Sequence, residues 1–116
     1  MKEIQQIYHN DFGLAFYWIR NEEVLTQRVQ LIFKETGFYL LPEELLQFSF
    51  LIESTSKKQG CAGCCKEGCG KVLLKTPIKA IDVAVSKQEL FYIKDLVKGT
   101  LFNLQLNDYI NEVCYN

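Results

Sequence analysis

Four cysteines fall within nine residues, in the stretch CAGCCKEGCG at 61–70: Cys61, Cys64, Cys65 and Cys69. Thiolates are soft ligands, and zinc takes four ligands tetrahedrally, with sulfur at about 2.3 Å, commonly from two Cys-x2–4-Cys pairs. Cys61 and Cys64 make one such pair, with Gly63 permitting the turn, and Cys65 and Cys69 make a second by spacing, helped by Gly68. Both pairs belong to one loop, and Cys64 adjoins Cys65. Neighbouring side chains point apart, so one ion can receive as few as three of the four thiolates. His9 or Cys114 adds a ligand only if the fold brings it close. Copper(I) and iron–sulfur clusters also suit thiolates, but neither usual ferredoxin spacing is present. The rival chemistries are a thiol-redox pair using Cys61 and Cys64, or an exposed loop whose cysteines stay reduced. The spacing leans towards a zinc-like ion.

The surroundings of this loop are basic. Residues 57–79 hold six lysines against Glu67 alone, a charge of +5 in a chain whose net charge is −1. Nearby cations lower thiol pKa values and favour the thiolates that bind metal or react. An odd total of five cysteines fits a secreted disulfide framework poorly. No apolar leader opens MKEIQQIYHN, so the expected compartment is the cytoplasm. No apolar run approaches the roughly 20 residues of a membrane helix, and none is expected.

Other residues offer less chemistry. His9 is the lone histidine and lies some fifty residues from the cysteine loop, so a Cys–His nucleophile pair rests wholly on spatial adjacency. Cys114 reads as a small apolar residue near the end of the last helix. Asp11, Asp82 and Glu89 form no recognisable acid pair, and Glu89 has a capping role. Phosphate loops, dinucleotide fingerprints and nucleophile elbows are missing, so no enzyme is expected. The run Phe16-Tyr17-Trp18 reads as core and sheet surface rather than a base-stacking platform. An isoelectric point of about 5.8 argues against nucleic acid as a partner.

The elements that must position the loop can be read from periodicity. With 116 residues and 48% hydrophobic content, the chain can bury a core as one domain. Residues 1–41 read as strands, at 4–8, 14–19, within 24–33, and from 38, with turns expected at 10–13 and at Thr36-Gly37. Residues 42–56 read as the first helix: Pro42 suits its first position, Glu43 and Glu44 complement the dipole, and the polar run 54–56 should end it. Residues 57–71 form the Cys/Gly/Lys-rich connector. Residues 72–85 read as two strands broken at Pro77. Residues 86–116 form a helical segment opened by the S-x-x-E capping box Ser86–Glu89, with Asn107 able to cap a final piece.

LLPEELLQFSFLIEST and AVSKQELFYIKDLVKGT match in pattern, aligning Leu45 with Leu90, Phe48 with Ile93 and Ile52 with Val97. Each follows two strands. The expected fold is α+β: an N-terminal hairpin, then a duplicated strand–strand–helix unit, with both helices packed on one face of an antiparallel sheet. LAFYWI is apolar on both strand faces, whereas a sheet covered on one side needs only one. A second copy is therefore an expected cover, as a homodimer.

The stretches IYHNDFGLAFYW, VQLIFKETGFYLLPEELLQF and IKAIDVAVSKQELFYIKDLVKGTLF resemble a family of small α+β proteins of uncharacterised function, mostly from Bacteroidetes. The resemblance implies a β-rich start and two strand–strand–helix units, and it brings no activity with it. Many members of that family carry a Cys-x-x-Cys on an early strand. Residues 16–23 here hold no cysteine, so a shared metal site is not implied. The expected function is then a non-enzymatic domain whose connector binds a zinc-like ion in a structural or regulatory role. The alternatives are an interaction module with an unknown protein partner, its cysteines incidental, and the thiol-redox protein.

Overall fold

The computed structural model describes the backbone of residues 3–59 and 71–114, and the side-chain surroundings of 3–57 and 71–106. The strands are β1 (Glu3–His9), β2 (Gly13–Arg20), β3 (Glu23–Val24), β4 (Val29–Phe33), β5 (Thr36–Leu40), β6 (Val72–Lys75) and β7 (Asp82–Val85). The helices are α1 (Pro42–Gln59), between β5 and β6, and α2 (Lys87–Cys114) after β7. The first five strands form an antiparallel sheet in the order β1-β2-β4-β5, with β3 hooked onto β2. The class is α+β, with strand–strand–helix units as expected. The second pair of strands differs in one respect. β6 and β7 pair with each other as a separate two-stranded ribbon rather than extending the main sheet.

Register divides the main sheet into two faces. Ala15 stands opposite Leu31, and Leu31 opposite Phe38, so these share one face with Val29, Phe33 and Leu40. All of them are buried, and they form one core with Leu45, Phe48 and Ile52 of α1 and Leu90, Ile93 and Val97 of α2. Each helix presents a single apolar stripe, and both stripes are buried on this face. Leu74 and Val85 close the core from the ribbon. Phe33 lies at its centre, 1% exposed. Its ring centroid is 6.0 Å from Phe12, 5.7 Å from Phe38 and 6.4 Å from Phe48, and Phe12 in turn stacks on Tyr92. One side chain thus joins the β1–β2 turn, β5 and α1.

A bulge fixes how α2 meets the sheet. Gln6 pairs with Phe16, but Tyr8 pairs with Ala15, so Ile7 is the extra residue. The shift turns Tyr8 to the helix side, where its hydroxyl donates to Asp95 Oδ2 at 3.0 Å. Gly99 of α2 is required there, because a Cβ would overlap the Tyr8 ring. Asn10 completes the clamp. Its Nδ2 donates to Asp95 Oδ2 and to the Tyr92 carbonyl, while its Oδ1 accepts from the backbone N–H groups of Phe12 and Gly13. Asn103 adds a bond to the Ile7 carbonyl.

Several boundaries moved from those expected. The β4–β5 turn is at Lys34-Glu35, and Thr36 and Gly37 belong to β5. Lys34 and Glu35 sit at φ 50° and 62°, and Asn21 and Glu22, at the β2–β3 turn, at 53° and 66°. These are the positive values a two-residue hairpin turn demands; Asn21 suits them, whereas Glu22, Lys34 and Glu35 do not advertise them. α1 runs through the polar stretch 54–56 to Gln59, where the Thr55 hydroxyl finds a partner in the Leu51 carbonyl at 2.9 Å. α2 is one unbroken helix past Asn107, since neither glycine nor proline follows Gly99. β7 begins only at Asp82, because Thr76 Oγ1 accepts from the Ile78 N–H and donates its one proton to the Ile81 carbonyl at 2.7 Å, while the Ile81 N–H donates to the Ile78 carbonyl, holding 76–81 as a turn.

Replacing Phe33 by alanine should cost about 3–5 kcal/mol, the range for emptying a buried aromatic site. Denaturant melts of the two proteins check this. A loss under about 1 kcal/mol would mean that Phe33 is not the junction of the core.

Candidate functional site

The connector is tied to the fold through its two ends. It leaves α1 after Gln59 and rejoins the described chain at Lys71, immediately before β6. Cys61, Cys64, Cys65 and Cys69 lie outside the described residues. The side chain of Cys114, on the last turn of α2, also lies outside them. Among the described residues no three His, Cys, Asp or Glu side chains gather as a metal site.

The landing point of the connector is an electrostatic hub built on Glu89. Ser86 N–H donates to Glu89 Oε1 at 2.8 Å and Glu89 N–H donates to Ser86 Oγ at 3.1 Å, the reciprocal capping box that the sequence spells out. Lys34, on the β4–β5 turn, donates to Glu89 Oε1 at 3.1 Å and to the Ala84 carbonyl at 3.0 Å. Lys71 stands 4.0 Å from the same carboxylate. The Ser86 N–H first, then Lys34 and Lys71, hold the Glu89 carboxyl below the usual carboxylate range. Lys71, the last residue of the connector, thus lies beside the α2 N-terminus, whose cap Lys34 joins to the main sheet. Sequence reading found the cap but not Lys34, since nothing local links a turn lysine to a helix 55 residues away.

The remaining candidates have structural partners. His9 Nδ1 is 2.8 Å from Gln6 Nε2 on the exposed rim of β1. Asp82 faces Lys75 at 3.8 Å across the ribbon, and Asp11 is exposed in the β1–β2 turn. Asp95, which sequence reading passed over, is held by Tyr8 and Asn10. The hydrogen bond to Asp95 raises the Tyr8 pKa above its ordinary value. On the helix surface Glu53 pairs with Lys98 and, at 3.4 Å, with Lys94. The bond from Lys98 is the main reason its carboxyl titrates low. A surface depression of about 410 Å³ lies between the loop at 23–28 and Tyr39.

The second face of the main sheet is largely apolar and carries no described helix. Ile4, Phe16, Trp18, Leu14 and Ile32 share it, through the pairs Ile4–Trp18 and Leu14–Ile32. Phe16 is nonetheless 3% exposed, because Trp18 lies edge-on to its ring at 4.9 Å. Trp18 Nε1 donates to Gln30 Oε1 at 3.1 Å. The two-faced character of LAFYWI is thus partly met within the chain: Tyr17 packs against the core, and Trp18 covers Phe16 on the other side. Ile4, Ile32 and Tyr39 on that outer face remain 37–43% exposed.

No family model, curated protein or solved structure matches the chain, so its functional reading stands on its own residues. No described helix is long and apolar enough to cross a membrane.

The Glu89 hub predicts a pH signature. A carboxyl whose folded pKa is depressed contributes stability above its unfolded value, about 4.3 for glutamate, and loses it as pH falls through the folded value. Glu89→Gln keeps the reach-back to Ser86 but loses the charge. It should lower stability by about 0.5–1 kcal/mol at neutral pH, with the difference vanishing in acid. Ser86→Ala should cost about 1 kcal/mol with little change over the same range. Urea melts from pH 7 to strongly acid conditions check both, and a Glu89→Gln deficit that grows in acid would contradict the assignment.

Proposed function

We propose that the protein is a non-enzymatic α+β module whose connector takes up a thiophilic ion, zinc being the best match, in a structural or regulatory role. The carrying observation is the density and spacing of Cys61, Cys64, Cys65 and Cys69 within a basic connector. With all four thiolates bound, a zinc ion has no open position for a substrate. The end of the connector lies beside the α2 N-terminus, with Lys71 4.0 Å from Glu89. The acids nearest at hand are engaged in the cap and in ion pairs, and their partners account for their positions.

A second reading is supported by the outer sheet face. Exposed Ile4, Ile32 and Tyr39 beside Trp18 suit a protein-interaction or homodimerisation module in which the cysteines are incidental. The cytoplasm suits both readings, because thiols stay reduced there.

Metal analysis of protein purified without chelator, combined with free-thiol counting, separates the possibilities. The ion reading expects about one equivalent of zinc, protected thiols, and loss of the metal in Cys61→Ser/Cys64→Ser with the fold unchanged. A Cys61–Cys64 or Cys65–Cys69 bridge, lost on reduction and indifferent to chelator, would replace it with thiol-redox chemistry. Freely reactive thiols with no metal would overturn both.

A further inference from the structure

The ribbon of β6 and β7 meets the core through Leu74 and Val85, and residues 78–81 of its end loop are all exposed. Exposed turns are ordinarily built from glycine, asparagine, aspartate, serine and proline. This loop reads TPIKAI, from Thr76 to Ile81. Ile78 is 42% and Ile81 43% exposed, and the Ile81 N–H donates to the Ile78 carbonyl at 3.0 Å. That bond closes a β-turn, which brings the two Cα atoms within about 7 Å of each other. The isoleucines therefore form one apolar tip rather than two scattered side chains, with Lys79 and Ala80 at its corner.

The main chain of this tip is already satisfied. Thr76, itself buried, accepts from the Ile78 N–H at 3.2 Å and donates to the Ile81 carbonyl at 2.7 Å. With the Ile78–Ile81 bond, the N–H and C=O groups of both isoleucines have partners inside the loop. A backbone closed in this way enters an apolar medium without the cost of an unpaired polar group. Pro77 fixes φ beside the tip, so little order remains to be imposed on binding.

Charge selects the medium. Residues 71–87 hold four lysines against Asp82 alone, a charge of +3 in a chain whose net charge is −1. Asp82 is matched by Lys75, and Lys71 approaches Glu89. Lys79, between the isoleucines, has no ion pair among the described residues. The outer face of the ribbon continues the pattern, with exposed Leu73 two residues before Lys75.

We infer that this tip docks on an anionic lipid bilayer. Ile78 and Ile81 enter the boundary between headgroups and acyl chains, and Lys79 meets the lipid phosphates and carboxylates. The chain lies on such a surface and does not cross it. The inference goes beyond the proposed function and does not depend on the connector's ion. Other occupants fit the tip less well. Single-stranded nucleic acid stacks its bases on aromatic rings, and residues 71–87 contain none. A standard protein interface buries about 800 Å² per partner, more than one turn offers. A bilayer accepts a small apolar tip, and each lysine near an anionic surface strengthens binding about fivefold.

Pelleting of the full chain with lipid vesicles, under reducing conditions, tests this. The protein should pellet with phosphatidylcholine vesicles holding about one third phosphatidylserine, and be released as salt rises. It should stay in solution with phosphatidylcholine alone. Ile78→Ser/Ile81→Ser should weaken binding about tenfold or more, and Lys79→Glu about fivefold or more, with far-UV circular dichroism unchanged. Should the double serine variant disturb the fold, Lys79→Glu alone decides. No pelleting with the anionic vesicles, or equal pelleting with the neutral ones, overturns the inference. Binding that survives the tip changes but is lost in Phe50→Ser/Phe102→Ser also overturns it, and assigns the contact to the exposed helix surface. A chain that ignores vesicles yet binds a DNA oligonucleotide overturns it in favour of nucleic acid. Each of these results leaves the ion reading untouched.

Discussion

Phe33 is where the fold closes. Stacked between Phe12, Phe38 and Phe48, it couples a turn, a strand and a helix that are distant in sequence. An aromatic side chain of this size supplies much of the local apolar burial, and ring pairs add to it. With Phe33 in place, α1 has a surface for Phe48, and the β1–β2 turn has one for Phe12. Tyr92 then follows Phe12 and sets the height of α2 on the sheet. The ribbon completes the core with Leu74 and Val85.

Polar groups decide the details that apolar packing leaves open. Burial alone would let α2 slide along the sheet. The Tyr8–Asp95 bond, the Asn10 clamp and the overlap forbidden at Gly99 allow only one position. At the other end, Lys34 and Ser86 hold Glu89, which ties the helix start to the β4–β5 turn. The buried side-chain nitrogen and oxygen atoms among the described residues all have partners, as a specific rather than merely collapsed core requires.

What could be read in the sequence follows from how local each signal is. The stripe at Leu45, Phe48 and Ile52, its match at Leu90, Ile93 and Val97, and the capping box are set within one or two turns, and they were legible. The bulge at Ile7 was not, because it shows only against the partner strand. The turn at Lys34-Glu35 was misplaced by two residues for a similar reason: Gly37 draws attention as a turn residue, while it lies within β5 under the Gln30 side chain. Thr76 delayed the start of β7 through side-chain bonds to the backbone that a propensity argument does not carry. The hub residue Lys34 and the clamp residue Asp95 needed tertiary geometry. The cysteine spacing was legible as a metal pattern, and it lies outside the described residues.

The helix-on-sheet core carries the fold, and in the proposed reading the connector carries the chemistry. A core of this size does not depend on a staple, so the proposed ion would order the connector alone. Amide hydrogen exchange on zinc-loaded and chelator-treated protein, both kept reduced, puts that division to the test. Residues 60–70 should exchange slowly with the ion and quickly without it, while β2, β4 and the first four turns of α2 keep their protection. Loss of protection through β2, β4 and α2 on chelation, or identical exchange at 60–70 in both states, would contradict it.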